Sequence, residues 1–346
     1  PIDVAIIRPS PADSFGNLSF EDEPIVASSI ALALAVKACG GTVIAQVRKL
    51  VERRTRPSQM VRIPGDVVDH VVLVPEQMMT TDTRFDARYL GGKPFSAEGL
   101  PKLSSGPDKV MARRVAREIR QGVVSIFGFG ASSDAPLALA EAGAFANGGI
   151  DAYRFTTEHG PFGGIVMSGW QFSANLYPEA LLDGVTHFDY IDGGNCKFAA
   201  LAFAQVDRNG NINVSRFGAN NPGAGGFIDI AHNARDLVFA GTFTTAGLKT
   251  ELTANSLKIV KEGTTKKFVD QVEQITYPAL KGVRERGQTA SIITERAVFH
   301  LAPDGFELTE IAAGLDVRRD VLDQMAFRPA RIADPLPTMA ADLFAP

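Results

Sequence analysis

Residues 23–47 read EPIVASSIALALAVKACGGTVIAQV. Acidic residues and a proline open the stretch, alanine and aliphatic residues fill it, and Gly40-Gly41 separates it from the apolar run TVIAQV. These are the signals of a helix start, a helix body and a helix stop, followed at once by a strand. The pattern predicts a helix over 23–39 and a strand over 41–47. The same alternation recurs outward. IDVAII (2–7), VVDHVVLV (67–74), VVSIFGF (123–129), FAALAFAQV (198–206) and LVFAGTF (237–243) read as strands, and PDKVMARRVAREIRQG (107–122) as a helix. Strands alternating with helices predict an α/β fold with parallel sheets. Between them GGKPFSAEGLPKLSSG (91–106) has no periodicity and reads as a linker.

A chain of 346 residues fits two domains at roughly 150 residues each. The linker at 91–106 places the boundary between them. A net charge of -4 argues against a nucleic-acid partner. The basic cluster Arg48, Lys49, Arg53, Arg54 and Arg56 reads as a solvated loop, with phosphate contacts as its other reading. Cys39 and Cys196 are the two cysteines, too few for a disulfide framework or a metal-ligand spacing. No apolar run approaches the roughly 20 residues a bilayer requires, and no signal-peptide pattern opens the chain. The expectation is a cytoplasmic protein without a membrane partner or a metal.

ADSFGNLS (12–19) and VDRNGNIN (206–213) share an Asp, two residues, Gly-Asn and an aliphatic residue. Gly16 and Gly210 lie 210 − 16 = 194 positions apart, and the strands that follow start at Val43 and Val238, 238 − 43 = 195 apart. A turn, a helix-length gap and a matching strand at one offset predict a duplicated α/β unit. About 100 residues of pattern precede the second turn and 11 precede the first, so a missing N-terminal segment or a partner chain is expected to complete the first copy.

Two glycine-rich stretches carry the chemistry. In FTTEHGPFGG (155–164), Glu158 is followed by Gly160, Gly163 and Gly164, a loop whose backbone a ligand can approach closely. In PGAGGFIDI (222–230), Gly223, Gly225 and Gly226 can aim successive amides at one anionic oxygen. A phosphate loop would need Lys and Ser or Thr after the glycines, where Phe227 and Ile228 stand, so the oxyanion reading gains. Gly128 and Gly130 fail a dinucleotide fingerprint because Ser133 occupies the third glycine position, yet they remain candidates for lining a cleft.

TTEHG with its following GG, the loop GAGGF, the frame AQVDRNGNINVSRFG (204–218) and the tail ITERAVFHLAPDGFELTEIAAG (293–314) resemble the family I CoA transferases, of the single-chain acyl-CoA:acetate/3-ketoacid or propionate type. The resemblance covers nearly all of the chain. It implies two related open α/β domains with the active site between them, residues 1–100 finishing the first, 107–330 forming the second, which carries the glutamate, and 331–346 a C-terminal tail. It also implies a catalytic glutamate at Glu158, and an oxyanion hole at Gly225 and Gly226. It further implies CoA or substrate contacts from Gly128, Gly130, Gly163, Gly164, Gly223, Ala224 and Phe227. The implied activity is transfer of coenzyme A between an acyl-CoA and a short-chain carboxylic or 3-keto acid, through a glutamyl-CoA thioester, in a homo-oligomer. No cofactor is needed beyond the CoA thioester that serves as substrate. Hydrolysis of acyl-CoA on the same site and a non-catalytic ligand sensor are the competing readings.

Departures from the family pattern at Gly193-Gly194-Asn195-Cys196-Lys197 and His232-Asn233-Ala234 bear on acyl specificity. Trp170, Gln171 and Phe172 read either as an acid pocket or as packing. His159 reads as a neighbour of Glu158 rather than a base, and Asp189 and Asp192 as turn and capping residues.

Overall fold

The computed structural model describes residues 1–345. They form two compact units: Pro1–Phe95 with Phe155–Tyr190, and Ser96–Arg154 with the chain from Ile191 onward. The first break falls inside the glycine- and serine-rich linker at 91–106, which contains no helix or strand.

Along the chain, the first unit opens with strand β1 (Val4–Ile7), helix α1 (Ser29–Ala38), strand β2 (Thr42–Val47) and strand β3 (His70–Leu73). The three strands form a parallel sheet in the order β1-β2-β3. β1 and β2 alternate exposed or half-buried with buried residues, and α1 turns Ala33 and Val36 into the core of Ala5, Ile7, Val43, Ala45 and Val47. α1 begins at Ser29 rather than at the expected Glu23. Glu23 does not cap a helix. It is buried, and its carboxylate accepts a hydrogen bond from Gln77 Nε2 at 2.7 Å and lies 3.4 Å from Arg8 Nη2. Burial pushes its pKa up to about 7 against the pull of Arg8.

The second unit then contributes helix α2 (Pro107–Ala116) and strand β4 (Val124–Phe127). Residues 155–190 return to the first unit with a hairpin, β5 (Arg154–Thr156) and β6 (Pro161–Phe162), followed by helix α3 (Gly184–Asp192), which contains Asp189 in its body rather than in a turn. The remainder of the second unit supplies β7 (Phe198–Ala202), α4 (Phe227–Asn233), β8 (Asp236–Ala240), β9 (Thr289–Ile293), β10 (Ala297–Ala302) and β11 (Gly305–Ile311). Within that unit the strand order is β4-β7-β8-β9-β10-β11, parallel as far as β9 and antiparallel beyond it. The expected strand over 198–206 ends at Ala202, and the chain starts a second short strand at Gln205–Asp207.

Domain boundaries drawn by chain order assign 107–330 to one body, whereas residues 155–190 group with residues 1–95. The cause is local packing. Leu181 packs against the Leu18, Val26 and Ile63 cluster, Ala27 bridges to Asp183, and Arg62 pairs with Asp183 at 3.3 Å.

The internal repeat is present in the hydrogen bonding of each unit. Asp13 Oδ1 accepts from the amides of Phe15 and Asn17, and Asn17 Nδ2 donates to Asp13 Oδ2. Asp207 holds Asn209 and Asn211 through the same three bonds. Gly16 and Gly210 both have positive φ, 79° and 69°, which a residue with a Cβ adopts at a cost. β1 pairs with β2 at Val4↔Thr42, and β7 with β8 at Phe198↔Asp236. Both positions move by one offset, 198 − 4 and 236 − 42, equal to that of the turns. Among the described residues, no helix is long and apolar enough to cross a membrane.

Candidate functional site

Glu158 sits in the tight loop joining β5 to β6, in the first unit, with 27% of its side chain exposed. Thr156 and Thr157 just before it are fully buried. Thr156 Oγ1 donates to Pro161 O at 2.6 Å across the loop and lies 3.1 Å from His187 Nε2 on α3. His187 is itself fully buried and stacks on Tyr190, with burial holding its pKa below the usual imidazole range, so it stays neutral. Gly160 closes the loop at φ 109°, and Leu182 N donates to Gly160 O at 2.9 Å. A Cβ at Gly160 would fall 2.1 Å from Leu182 O, so only glycine passes there.

His159 follows the glutamate, with Nε2 3.9 Å from Glu158 Oε1 and Nδ1 2.8 Å from Ser173 Oγ. Burial lowers its pKa and the Glu158 charge opposes that effect, so the imidazole is neutral near pH 7. Phe172 meets the His159 ring edge-to-face at 6.2 Å. Gln171 accepts from Tyr89 Oη at 2.6 Å, while Trp170 is 84% exposed, which removes it from core packing. Thr156, His187 and Ser173 form the support of the glutamate loop. None of them stands out in sequence, because neutral hydrogen-bonding residues spaced 14 to 31 positions apart carry no periodic signal.

Gly163 and Gly164 belong to the hairpin's packing rather than to an open ligand surface. A Cβ at Gly163 would meet Glu179 Cγ at 2.7 Å, and one at Gly164 would meet the Tyr177 carbonyl carbon at 2.6 Å. A cavity of about 420 Å³ in the same unit, lined by Phe20, Arg62, Leu90 and Pro178 among others, does not include Glu158.

In the second unit, Gly128 and Gly130 leave the carboxyl end of β4. Gly128 N donates to Ala200 O at 2.9 Å, and Ser133 Oγ donates to Gly130 O at 2.7 Å. The loop Gly223–Gly226 precedes α4, which connects two parallel strands, so topology puts it at the carboxyl ends of that sheet too, where open α/β sheets bind ligands. Gly223 and Gly225 have φ of 81° and 54°, and a Cβ at Gly223 would meet nothing within 4 Å. Ala224 is half-buried, with its carbonyl accepting from Phe227 N at 3.1 Å. Phe227 is a correction to the expected substrate contact. Its ring is buried and stacked on Phe239 at 5.9 Å, so its part in any site is to anchor the loop. Cys196 is buried, and burial pushes its thiol up to about 12, which makes it inert as a nucleophile. Asn233 Nδ2 donates to Asp192 Oδ1 at 3.0 Å, tying the two departures from the family pattern to each other's neighbourhood.

No family model matches the chain. Acetate CoA-transferase YdiF of Escherichia coli (strain K12) is 40% identical over 344 residues, which are 99% of this chain and 63% of that protein. Caffeate CoA-transferase of Acetobacterium woodii is 39% identical over 353 residues, 99% of this chain and 66% of the relative. The solved thioester complex of the Escherichia coli O157:H7 acyl-CoA transferase YdiF with CoA superposes with a TM-score of 0.86 at 38% identity, over 99% of this chain and 63% of that one. The chain therefore has that α/β fold, and it spans a little under two thirds of the length of these relatives.

Proposed function

We propose that this chain, which belongs with the CoA-transferases that match it over 99% of its length, carries the glutamate through which coenzyme A passes between an acyl-CoA and a short-chain carboxylic or 3-keto acid. The observation that carries the reading is the placement of Glu158: a half-exposed carboxylate in a hairpin loop fixed by Thr156, His187 and Gly160. In the cycle, the Glu158 carboxylate attacks the thioester carbonyl and CoA leaves as thiolate, giving a mixed anhydride. The thiolate attacks the glutamyl carbonyl, releasing the first acid and leaving a glutamyl-CoA thioester. The acceptor carboxylate then attacks that thioester, and the freed thiolate takes the new acyl group, which regenerates Glu158. Kinetics of this form are ping-pong.

No step moves a proton, which suits a loop whose His159, and the His187 of α3 that supports it, are held neutral. Each step passes through an oxyanion. The amides of Gly225 and Gly226 are our candidates for its donors, an arrangement for which one donor contributes about 3 to 4 kcal/mol. The cycle as written uses no metal or redox group. The test is exchange of label between acyl-CoA and a panel of short-chain acids, using the full protein and its Glu158→Ala and Glu158→Asp variants. Wild type should exchange and Glu158→Ala should not. Glu158→Asp, whose carboxylate is withdrawn by about 1.5 Å, should be severely slowed because near-attack geometry is lost. Exchange by the alanine variant refutes the reading.

A further inference from the structure

We propose that Ser173 is a positioning residue for the reacting carboxylate: its hydroxyl donates to Nδ1 of His159 and holds that ring with an Nε2–H turned to one oxygen of Glu158, which leaves the other oxygen to attack. The inference rests on CoA transfer at Glu158, and it gives His159 a part in the cycle other than that of a base. No proton leaves Nε2.

The His159 ring has a polar group at each nitrogen. Nδ1 lies 2.8 Å from Ser173 Oγ, and Nε2 lies 3.9 Å from Glu158 Oε1. Burial keeps the imidazole neutral, so one nitrogen carries a hydrogen and the other a lone pair. A lone pair on Nε2 would face the carboxylate, whereas an N–H there meets it with the opposite sign. The Glu158 charge therefore selects the Nε2–H form, and that form needs a donor at Nδ1. Ser173 supplies it. The 3.9 Å separation is longer than a hydrogen bond, and contacts of this kind tighten when the substrate complex forms.

Ser173 is 9% exposed and has φ 88°, a left-handed backbone that glycine adopts without strain and serine does not. What serine adds at that position is a hydroxyl, and among the described residues His159 is that hydroxyl's only hydrogen-bonding partner. The chain on either side is braced. Thr81 Oγ1 donates to Trp170 O at 2.7 Å, Tyr89 Oη donates to Gln171 Oε1 at 2.6 Å, and Met167 N donates to Ala174 O at 3.0 Å. Phe172 meets the His159 ring edge-to-face. Hydroxyl and imidazole thus meet at fixed positions, and a fixed N–H orients the nucleophile for attack.

The test has two arms. In the first, which contains no CoA, the nitrogen-15 spectrum of the five histidine rings is recorded, with the His159 signals assigned by their loss in His159→Gln. Wild type should show Nε2 protonated and Nδ1 as a hydrogen-bonded lone pair, and Ser173→Ala should move the Nδ1 signal to that of an unbonded lone pair. A protonated Nδ1 in wild type, or an Nδ1 signal indifferent to Ser173→Ala, overturns the inference. Should Ser173→Ala fail to fold, the wild-type spectrum decides alone. In the second arm CoA exchange is measured. His159→Phe, which keeps a ring against Phe172 and removes both nitrogens, should lower kcat about tenfold, as should Ser173→Ala, with KM for acyl-CoA little changed. Ser173→Ala made in the His159→Phe background should cost nothing more, because it acts through the ring. Full additivity of the two losses, or an undiminished kcat in either single variant, overturns the role. A wild type that shows the Nε2–H form and no exchange refutes CoA transfer and leaves the Ser173–His159 bond established.

Discussion

Gly160→Ala is the substitution for which the structure gives the clearest magnitude. Alanine at φ 109° adopts a backbone conformation that costs about 1 to 3 kcal/mol. Its Cβ would also fall 2.1 Å from Leu182 O, where ordinary contact begins at 3.4 Å, so the loop or the Leu182 carbonyl must shift by about 1.3 Å. That shift breaks the 2.9 Å bond from Leu182 N to Gly160 O, a further loss of about 1 kcal/mol. The expected destabilisation is about 2 to 4 kcal/mol, and a displacement of about 1 Å two residues from Glu158 should lower exchange by about 10²-fold. Urea unfolding and CoA exchange measure the two effects. Gly40→Ala is the control: its φ of 76° brings the backbone cost, but its Cβ would meet nothing within 4 Å. If Gly160→Ala is as stable as Gly40→Ala and exchanges at the wild-type rate, the loop does not position Glu158 in the way argued here.

Gly226→Ala, at a φ of -80° that alanine accepts, should fold and keep its amide, and its added methyl should crowd the oxyanion's approach and lower turnover by about tenfold or more; an unchanged turnover number in the folded variant removes Gly226 from that role. Asp207→Ala removes four hydrogen bonds from a buried carboxylate and should cost about 1 to 3 kcal/mol in urea unfolding, while Asp13→Ala, which loses three from a half-buried carboxylate, should cost less; equal losses would refute the dependence on burial. Lys267→Met should stabilise the protein near pH 7, because the folded-state pKa of about 8 lies below the ordinary 10.5 and burial therefore disfavours the protonated form. The penalty is full below pH 8 and fades as pH rises towards 10.5. The variant's advantage, at most about 3 kcal/mol, should thus shrink across that window, and an advantage independent of pH refutes the assignment.

What could be read from the sequence follows from what carries a local signal. Periodicity and glycine stops located β1, β2, β4, β7 and β8, and the Asp-x-x-Gly-Asn turns were legible because their hydrogen bonds close within four residues. The start of α1 was misplaced because Glu23 resembles a first-turn acid yet is committed to Gln77, 54 positions away. Phe227 looked like part of the glycine loop, but its ring belongs to the core with Phe239. Gly163 and Gly164 resembled Gly223 in sequence and differ from it in packing, since the chain at 177–179 presses against the first two and nothing presses against the third. Glu158 could be picked out by its motif. Its support through His187 and Ser173, and the contact of the Lys267 ammonium with the Phe203 ring, depend on contacts between distant positions that one sequence does not display.

The covalent state of Glu158 tests the central claim most directly. Protein incubated with an acyl-CoA in the absence of acceptor acid, then digested and weighed, should show the peptide containing Glu158 heavier by one coenzyme A, with the adduct lost on adding acceptor. A Glu158 peptide of unmodified mass under turnover conditions, or an adduct that maps to another residue, would contradict the account.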